Sequence, residues 1–326
     1  MNATFPVNTS NTTTAQDRVA IDGWFGFTSA LGICGTGFLL LFLTVSTVNA
    51  KLRKGTGLLI VHLTALQLYL CAVSFTLANT DAYRALVPEI PDLNLHCPSF
   101  MFSHMTAIQA ESWASLLLAC NRYVAVAVPH RYKEILSKKV VAGMMILPWI
   151  IAVAINLPVC FGIGWEFLID YPLHYCLAVP VDGHVYAAVW PVLGRYLPIV
   201  LMGVAYCALF LHTGMRNGVR RRLVDPVTTS SEAAVKAEVR TVKARARHMT
   251  LAKITAVSFL WHCLCFLPGP ISQSAFPELY SSFLMAQFWL LRTLDLCGYA
   301  ANPVFYLALS ADYQQATARL LRVTPA

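Results

Sequence analysis

The sequence predicts an all-α membrane protein in which seven helices cross a bilayer as one bundle. Three observations carry that reading. Of 326 residues, 57% are hydrophobic and only 12% are charged, a balance that ordinary soluble domains do not show. Long apolar stretches recur at about 24–48, 57–79, 98–123, 139–164, 186–212, 250–275 and 282–307, each reaching the roughly 20 residues that a spanning helix requires. Charge is also segregated. The loops on one side carry Arg18 and Arg84 against nine acids; those on the other carry 20 basic residues, including all eight Lys, against five acids. Cytoplasmic loops collect Lys and Arg, so the N-terminus is expected outside the cell and the C-terminus in the cytosol. The basic surplus then serves topology and an anionic inner leaflet, and calls for no nucleic-acid partner.

The chain divides accordingly into an extracellular tail over 1–23, a membrane domain over 24–307 and a short cytoplasmic segment over 308–326. No cleaved leader is expected, because the first 22 residues are polar and the first apolar run is too long for a signal core. Asn2-Ala3-Thr4, Asn8-Thr9-Ser10 and Asn11-Thr12-Thr13 are three glycosylation sequons in the tail. The first stretch is apolar and Gly-containing. The second carries Gln67 in mid-span. The third runs from Cys97 to Arg122, twenty-five residues that span roughly 37 Å as a helix, so one residue lies at each membrane face. Asn121-Arg122-Tyr123 closes it, with Pro129 six residues after the Tyr.

Several polar residues interrupt these stretches. His104, Ile108 and Glu111 follow i, i+4, i+7 spacing and share one helix face. Glu111 lies about three turns above Arg122, and an acid inside a membrane is a functional candidate because it is costly there. The fourth stretch carries Trp149. The fifth has Arg195 one turn before Pro198, and Tyr206 eight residues after that proline. The sixth carries Phe266-Leu267-Pro268. The seventh holds Arg292 and Asp295 one turn apart, then Asn302-Pro303-Val304-Phe305-Tyr306. Buried charges need partners, so Asp295 pairs with Arg195 or Arg292. An arginine left over is suited to a ligand carboxylate or phosphate.

Taken in order, Cys97, Asn121-Arg122-Tyr123, Trp149, Pro198, Tyr206, Phe266-x-Pro268 and Asn302-Pro303-x-x-Tyr306 resemble the dispersed motifs of rhodopsin-like (class A) G-protein-coupled receptors over about 24–314. The Asn at 121 is similar to the melatonin-receptor branch. The resemblance implies a seven-transmembrane bundle with a short, membrane-parallel eighth helix docked through Tyr313. It implies an activation switch of Asn121, Arg122, Tyr123, Tyr206, Phe266, Pro268, Asn302, Pro303 and Tyr306. Its partners would be an extracellular ligand (a small acid, lipid or peptide), membrane lipid, and a heterotrimeric G protein on which it promotes nucleotide exchange. His104, Met105, Ile108, Trp190, Gln273, Phe288 and Arg292 lie at the depth of a ligand cavity. Cys97 and Cys176, at an outer helix mouth and in an outer loop, would form a disulfide, with Cys160 the competing partner. Localisation would be the plasma membrane.

The motifs also depart from the family. Asn121 replaces the usual acid before the arginine, Phe266 stands where Trp is usual, His248 stands near a common sixth-helix acid, and the first helix lacks the family Asn after Gly. His130 replaces a bulky apolar residue in the second inner loop. Gln67 occupies the family's sodium-binding aspartate position. Glu111 on the neighbouring helix would then supply the carboxylate for a sodium ion, with Gln67 and Asn302 as partners. The alternative is a protonated Glu111 hydrogen-bonded to Gln67. No cofactor other than that ion and no structural metal is expected. The seventh stretch has no Lys for a retinal Schiff base, and neither GxSxG, HExxH nor a Walker sequence occurs, so an opsin and an enzyme are both disfavoured. A constitutively active or weakly coupling receptor-like scaffold stands as the alternative function, with a transporter or channel behind it.

Overall fold

A computed structural model describes residues 15–50, 52–53, 55–87, 96–128, 132, 137–169, 175–181, 183–222, 250, 253–254, 256–276 and 284–323; the side chains of 15–16, 214–222, 273–274, 284 and 321–323 are not among those described. Eight helices occur in this range. They are α1 (Ala15–Val48), α2 (Thr56–Leu86), α3 (Cys97–Ala127), α4 (Lys138–Cys160), α5 (185–222), α6 (256–275, bent at Leu267), α7 (284–309) and α8 (Ala311–Val323). A hairpin of β1 (Trp165–Ile169) and β2 (Cys176–Pro180) lies between α4 and α5, antiparallel, with Trp165 opposite Pro180 and Ile169 opposite Cys176. It marks one end of the bundle, the hairpin end; Arg122 marks the other.

Four helices, α1, α2, α4 and α5, are long and apolar enough to cross a membrane by length and composition. α3 and α7 are comparably long but bury Glu111, Arg122 and Asp295. The described apolar part of α6, Ala256–Ser272, is shorter. The bundle is inside-out relative to a soluble protein. Ile146, Ile150, Val200, Val204, Leu260 and Leu264 are exposed, whereas Gln67, Glu111, Asn156 and Asp295 are buried. That distribution suits a hydrocarbon solvent, in which polar groups must find partners within the protein.

Local chemistry sets the helix ends. Pro98 opens α3 in its first turn, where a missing N–H costs nothing. Ser137 caps α4 by accepting the Val140 N–H. α1 begins at Ala15, so the tail assigned to 1–23 is helical over its last nine residues. Asp17 in the first turn and the Arg18–Asp22 ion pair at 3.6 Å favour helix there, and an apolar count does not register them. After a break at Ser310, α8 docks through Tyr313, which stacks on Phe42 of α1 at 4.7 Å.

Three helices contain a π turn: Leu70–Ser74 in α2, Val192–Tyr196 in α5 and Phe288–Thr293 in α7. Such a turn inserts one residue and leaves backbone groups to be paired. Thr76 donates to Cys71 O at 3.0 Å, and Thr293 to Phe288 O at 3.1 Å, each hydroxyl reaching back five residues. In α5 the turn holds Gly194, where a Cβ would come within 2.5 Å of Gln109 Nε2. A side chain there would have to push Gln109 aside, so glycine lets α5 and α3 sit close at this point.

A candidate ligand cavity and the polar column beneath it

At the hairpin end a cavity of about 250 Å³ opens between α2, α3, α5, α6, α7 and the hairpin. His104, Met105, Ile108, Trp190 and Arg292 line it. Most of the remaining wall is apolar, as ligand sites generally are. His104 is buried, joins Ser74 Oγ through Nδ1 at 2.5 Å and is flanked by Phe75 and Phe100. Phe288, placed in the cavity by depth, does not line it. It is fully buried, stacked on Trp24 at 4.5 Å and near Tyr175, because the π turn that begins at Phe288 rotates this stretch of α7. The side chain of Gln273 lies outside the described residues.

The charges in this cavity sort themselves. Arg195 Nη2 donates to Asp295 Oδ1 at 2.6 Å, a close charge-assisted bond. Arg292 makes no ion pair among the described residues. Its Nη1 donates to Ala78 O at 2.6 Å, and its guanidinium carbon lies 5.3 Å from the Tyr175 ring and 5.5 Å from that of Phe288. Backbone and aromatic faces therefore position this cation without neutralising it. A buried network behind the wall was not anticipated: Asn156 donates to Gln109 Oε1 at 2.9 Å and accepts from Trp190 Nε1 at 3.1 Å. The signal for it was a lone Asn within the apolar run 139–164.

Towards the Arg122 end, a polar column crosses the middle of the bundle. Gln67 Nε2 donates to Glu111 Oε1 at 2.8 Å, Ser115 Oγ donates to the same oxygen at 3.1 Å, and Asn302 Nδ2 donates to Gln67 Oε1 at 2.9 Å. Gln67, Glu111 and Asn302, proposed as partners from their positions, are thus joined. They line a smaller cavity of about 40 Å³. Glu111 Oε2, Asn302 Oδ1 and Ser258 Oγ, all from residues lining this cavity, are buried with no hydrogen-bond partner among the described residues.

Below it, Arg122 is buried and makes no ion pair among the described residues, with Nε and Nη2 unpartnered. It hydrogen-bonds Tyr306, whose ring lies 5.8 Å from Tyr313. Asn121 Oδ1 accepts from Tyr132 at 3.5 Å, and Tyr132 in turn contacts Thr56 at 2.5 Å. Tyr123 is half-buried, and Tyr206 packs on Phe259 at 5.3 Å. Phe266 packs on Tyr299 at 4.8 Å, Pro268 opens the segment of α6 beyond the bend, and Pro303 lies within α7. Cys97 and Cys176 are buried neighbours whose sulfur atoms are in contact; Cys160 is exposed. Asn2, Asn8, Asn11, His130 and His248 lie outside the described residues.

A seven-helix bundle with a cavity at one end, a buried arginine at the other and a polar column between them has the architecture of a membrane receptor. The model of the 7 transmembrane receptor (rhodopsin family) matches residues 39–306, and the chain belongs to that family of multi-pass, G-protein-coupled receptors, which are not enzymes. It is 23% identical to Protein trapped in endoderm-1 of Drosophila melanogaster over 301 residues, 88% of this chain and 73% of the relative. It is 25% identical to the Alpha-1A adrenergic receptor of Oryzias latipes over 244 residues, 64% of this chain and 49% of the relative. With the Alpha-1D adrenergic receptor of Mus musculus it shares 24% over 323 residues, 88% of this chain and 54% of the relative. The chain spans about half the length of these adrenergic receptors.

Proposed function

We propose that this receptor takes an extracellular ligand with an anionic or strongly accepting group into the hairpin-end cavity, and that binding promotes nucleotide exchange on a heterotrimeric G protein at the Arg122 end. The N-terminus is outside and the molecule acts at the plasma membrane. The observation that carries the reading is Arg292, a positioned cation without an ion pair among the described residues, in a cavity with mostly apolar walls. A small acid, a lipid acid or an acidic peptide terminus meets that chemistry; the cavity has no unpaired carboxylate among its described walls to favour an amine.

A ligand works here by preferring one arrangement of the bundle and shifting a pre-existing equilibrium. The polar column connects the two ends, and a sodium ion held by Glu111 Oε2 and Asn302 Oδ1 would stabilise one arrangement. The absence of an ion pair at Arg122 among the described residues favours, as a second reading, measurable activity without ligand. The test is nucleotide exchange across a panel of Gα proteins, comparing wild type, Arg122→Ala and Arg292→Ala at equal surface expression. Exchange lost in Arg122→Ala but kept without ligand in Arg292→Ala supports the division of roles. Exchange unaffected by Arg122→Ala would overturn it.

A further inference from the structure

Gln109 of α3 lines the hairpin-end cavity and is 5% exposed. Which of its two amide atoms faces the cavity follows from a chain of donors that begins at Trp190. An indole N–H can only donate, so the atom accepting from Trp190 Nε1 at 3.1 Å is the carbonyl oxygen of Asn156. That leaves the Asn156 amide nitrogen to donate to Ala152 O at 2.8 Å and to Gln109 at 2.9 Å. The Gln109 atom that receives it is therefore the acceptor, Oε1, and Nε2 is left beside Gly194 of α5. Nε2 makes no hydrogen bond among the described residues, and it is not one of the unpartnered polar atoms sealed inside the protein. A donor in so buried a residue is costly unless something accepts from it.

This donor and Arg292 stand on different sides of the cavity. Arg292 belongs to α7 and is tied to Ala78 O of α2; Gln109 is tied to α4 and abuts α5. Along α3, Gln109 follows His104 by five residues, about 7.5 Å along the axis and roughly 140° around it. So α3 turns one polar group to the α2 side, where His104 meets Ser74, and the other to the α4–α5 side. Met105, Ile108, Leu177 and Leu291 contribute apolar wall. Arg195 and Asp295 neutralise each other at 2.6 Å, so a second carboxylate would find no free cation beside Gln109. The volume, about 250 Å³, is below the roughly 300–1,000 Å³ usual for drug-sized ligands, which selects a small acid over a lipid or a peptide terminus.

We propose that the ligand is a small monocarboxylate carrying a neutral acceptor, a ketone or amide carbonyl, at its far end: the carboxylate meets Arg292 and the carbonyl oxygen accepts from Gln109 Nε2. This rests on the hairpin-end cavity being the ligand site, and narrows its chemistry from any acid to a bipolar one. Gln109 is then a specificity-determining residue, oriented by Asn156 and Trp190.

The test measures binding to the full-length receptor in nanodiscs, by calorimetry, with two probe series: methyl-keto carboxylates of increasing length, and straight-chain alkanoates matched to them. At one length the keto acid should bind wild type about tenfold more tightly than its alkanoate, as one hydrogen bond implies. Gln109→Met should bring the two affinities level. Gln109→Glu keeps an acceptor for Asn156 but turns a second oxygen to the cavity, so it should abolish the preference too, and it decides the matter if the Met variant fails to fold. Arg292→Ala should weaken both acids alike. Equal affinities in wild type at every length, or a preference that survives in the Gln109 variants, would overturn the second anchor while leaving the anion site intact. Binding of neither series, or binding indifferent to Arg292→Ala, would overturn the reading of the cavity itself and this inference with it.

Discussion

Phe266 of α6 rests directly on Gly298 of α7: a Cβ at 298 would overlap the Phe266 ring. The same ring meets His262 at 4.1 Å and Tyr299 at 4.8 Å, and the Arg195 guanidinium carbon lies 5.2 Å from its centre. The aromatic residue two before the α6 proline is thus seated between two helices by the absence of a side chain on one of them. Gly298→Ala overpacks this contact, and about 1–3 kcal/mol of stability should be lost. Thermal unfolding of the purified receptor checks it: the melting temperature should drop in Gly298→Ala and recover in part when Phe266→Leu is added. Additive losses would mean that the two residues do not act through each other.

Breaking the Arg195–Asp295 pair should cost more than removing it. Asp295→Asn leaves a buried guanidinium uncompensated and is expected to destabilise by about 3–5 kcal/mol, whereas Arg195→Met combined with Asp295→Leu should cost less. A thermal-shift series on the three proteins decides; a double variant worse than the single one would show that the pair has a role beyond mutual neutralisation.

If Glu111 holds sodium, salt identity should matter. Replacing potassium chloride by sodium chloride at constant ionic strength should raise the melting temperature of the wild type and leave Glu111→Gln unmoved, since the amide keeps the hydrogen-bonding shape without the charge. Equal responses in the two proteins would reduce Glu111 to a hydrogen-bonding partner of Gln67.

The adjacency of Cys97 and Cys176 predicts a disulfide in the mature receptor, with β2 anchored to the start of α3. Peptide mapping under non-reducing conditions should recover the two as one linked species, and Cys176→Ser should lower surface expression. A Cys97–Cys160 linkage, or a free Cys97 thiol in intact protein, would refute the pairing.

The coarse architecture was legible because long apolar runs and segregated charge are direct consequences of crossing a bilayer. The Gln67–Glu111–Asn302 group was legible too, since helical spacing and motif position place three polar residues at one depth. Depth failed where helical phase was needed. Phe288 has the right height for the cavity, yet the π turn in α7 carries it into the packing around Trp24. No residue in Phe288–Thr293 announces that turn in isolation, because its compensation by Thr293 is a three-dimensional event. The choice between Arg195 and Arg292 as partner of Asp295 was open for the same reason: both are compatible with burial, and only geometry distinguishes them.

The three π turns all fall on the hairpin side of the polar column. An inserted residue changes the helical phase of the segment on its hairpin side relative to the segment on its Arg122 side. The hairpin end can therefore be re-lined by substitutions that leave the Arg122 end untouched. In evolutionary terms, these turns are joints at which the lining of one end can diversify while the packing of the other is kept.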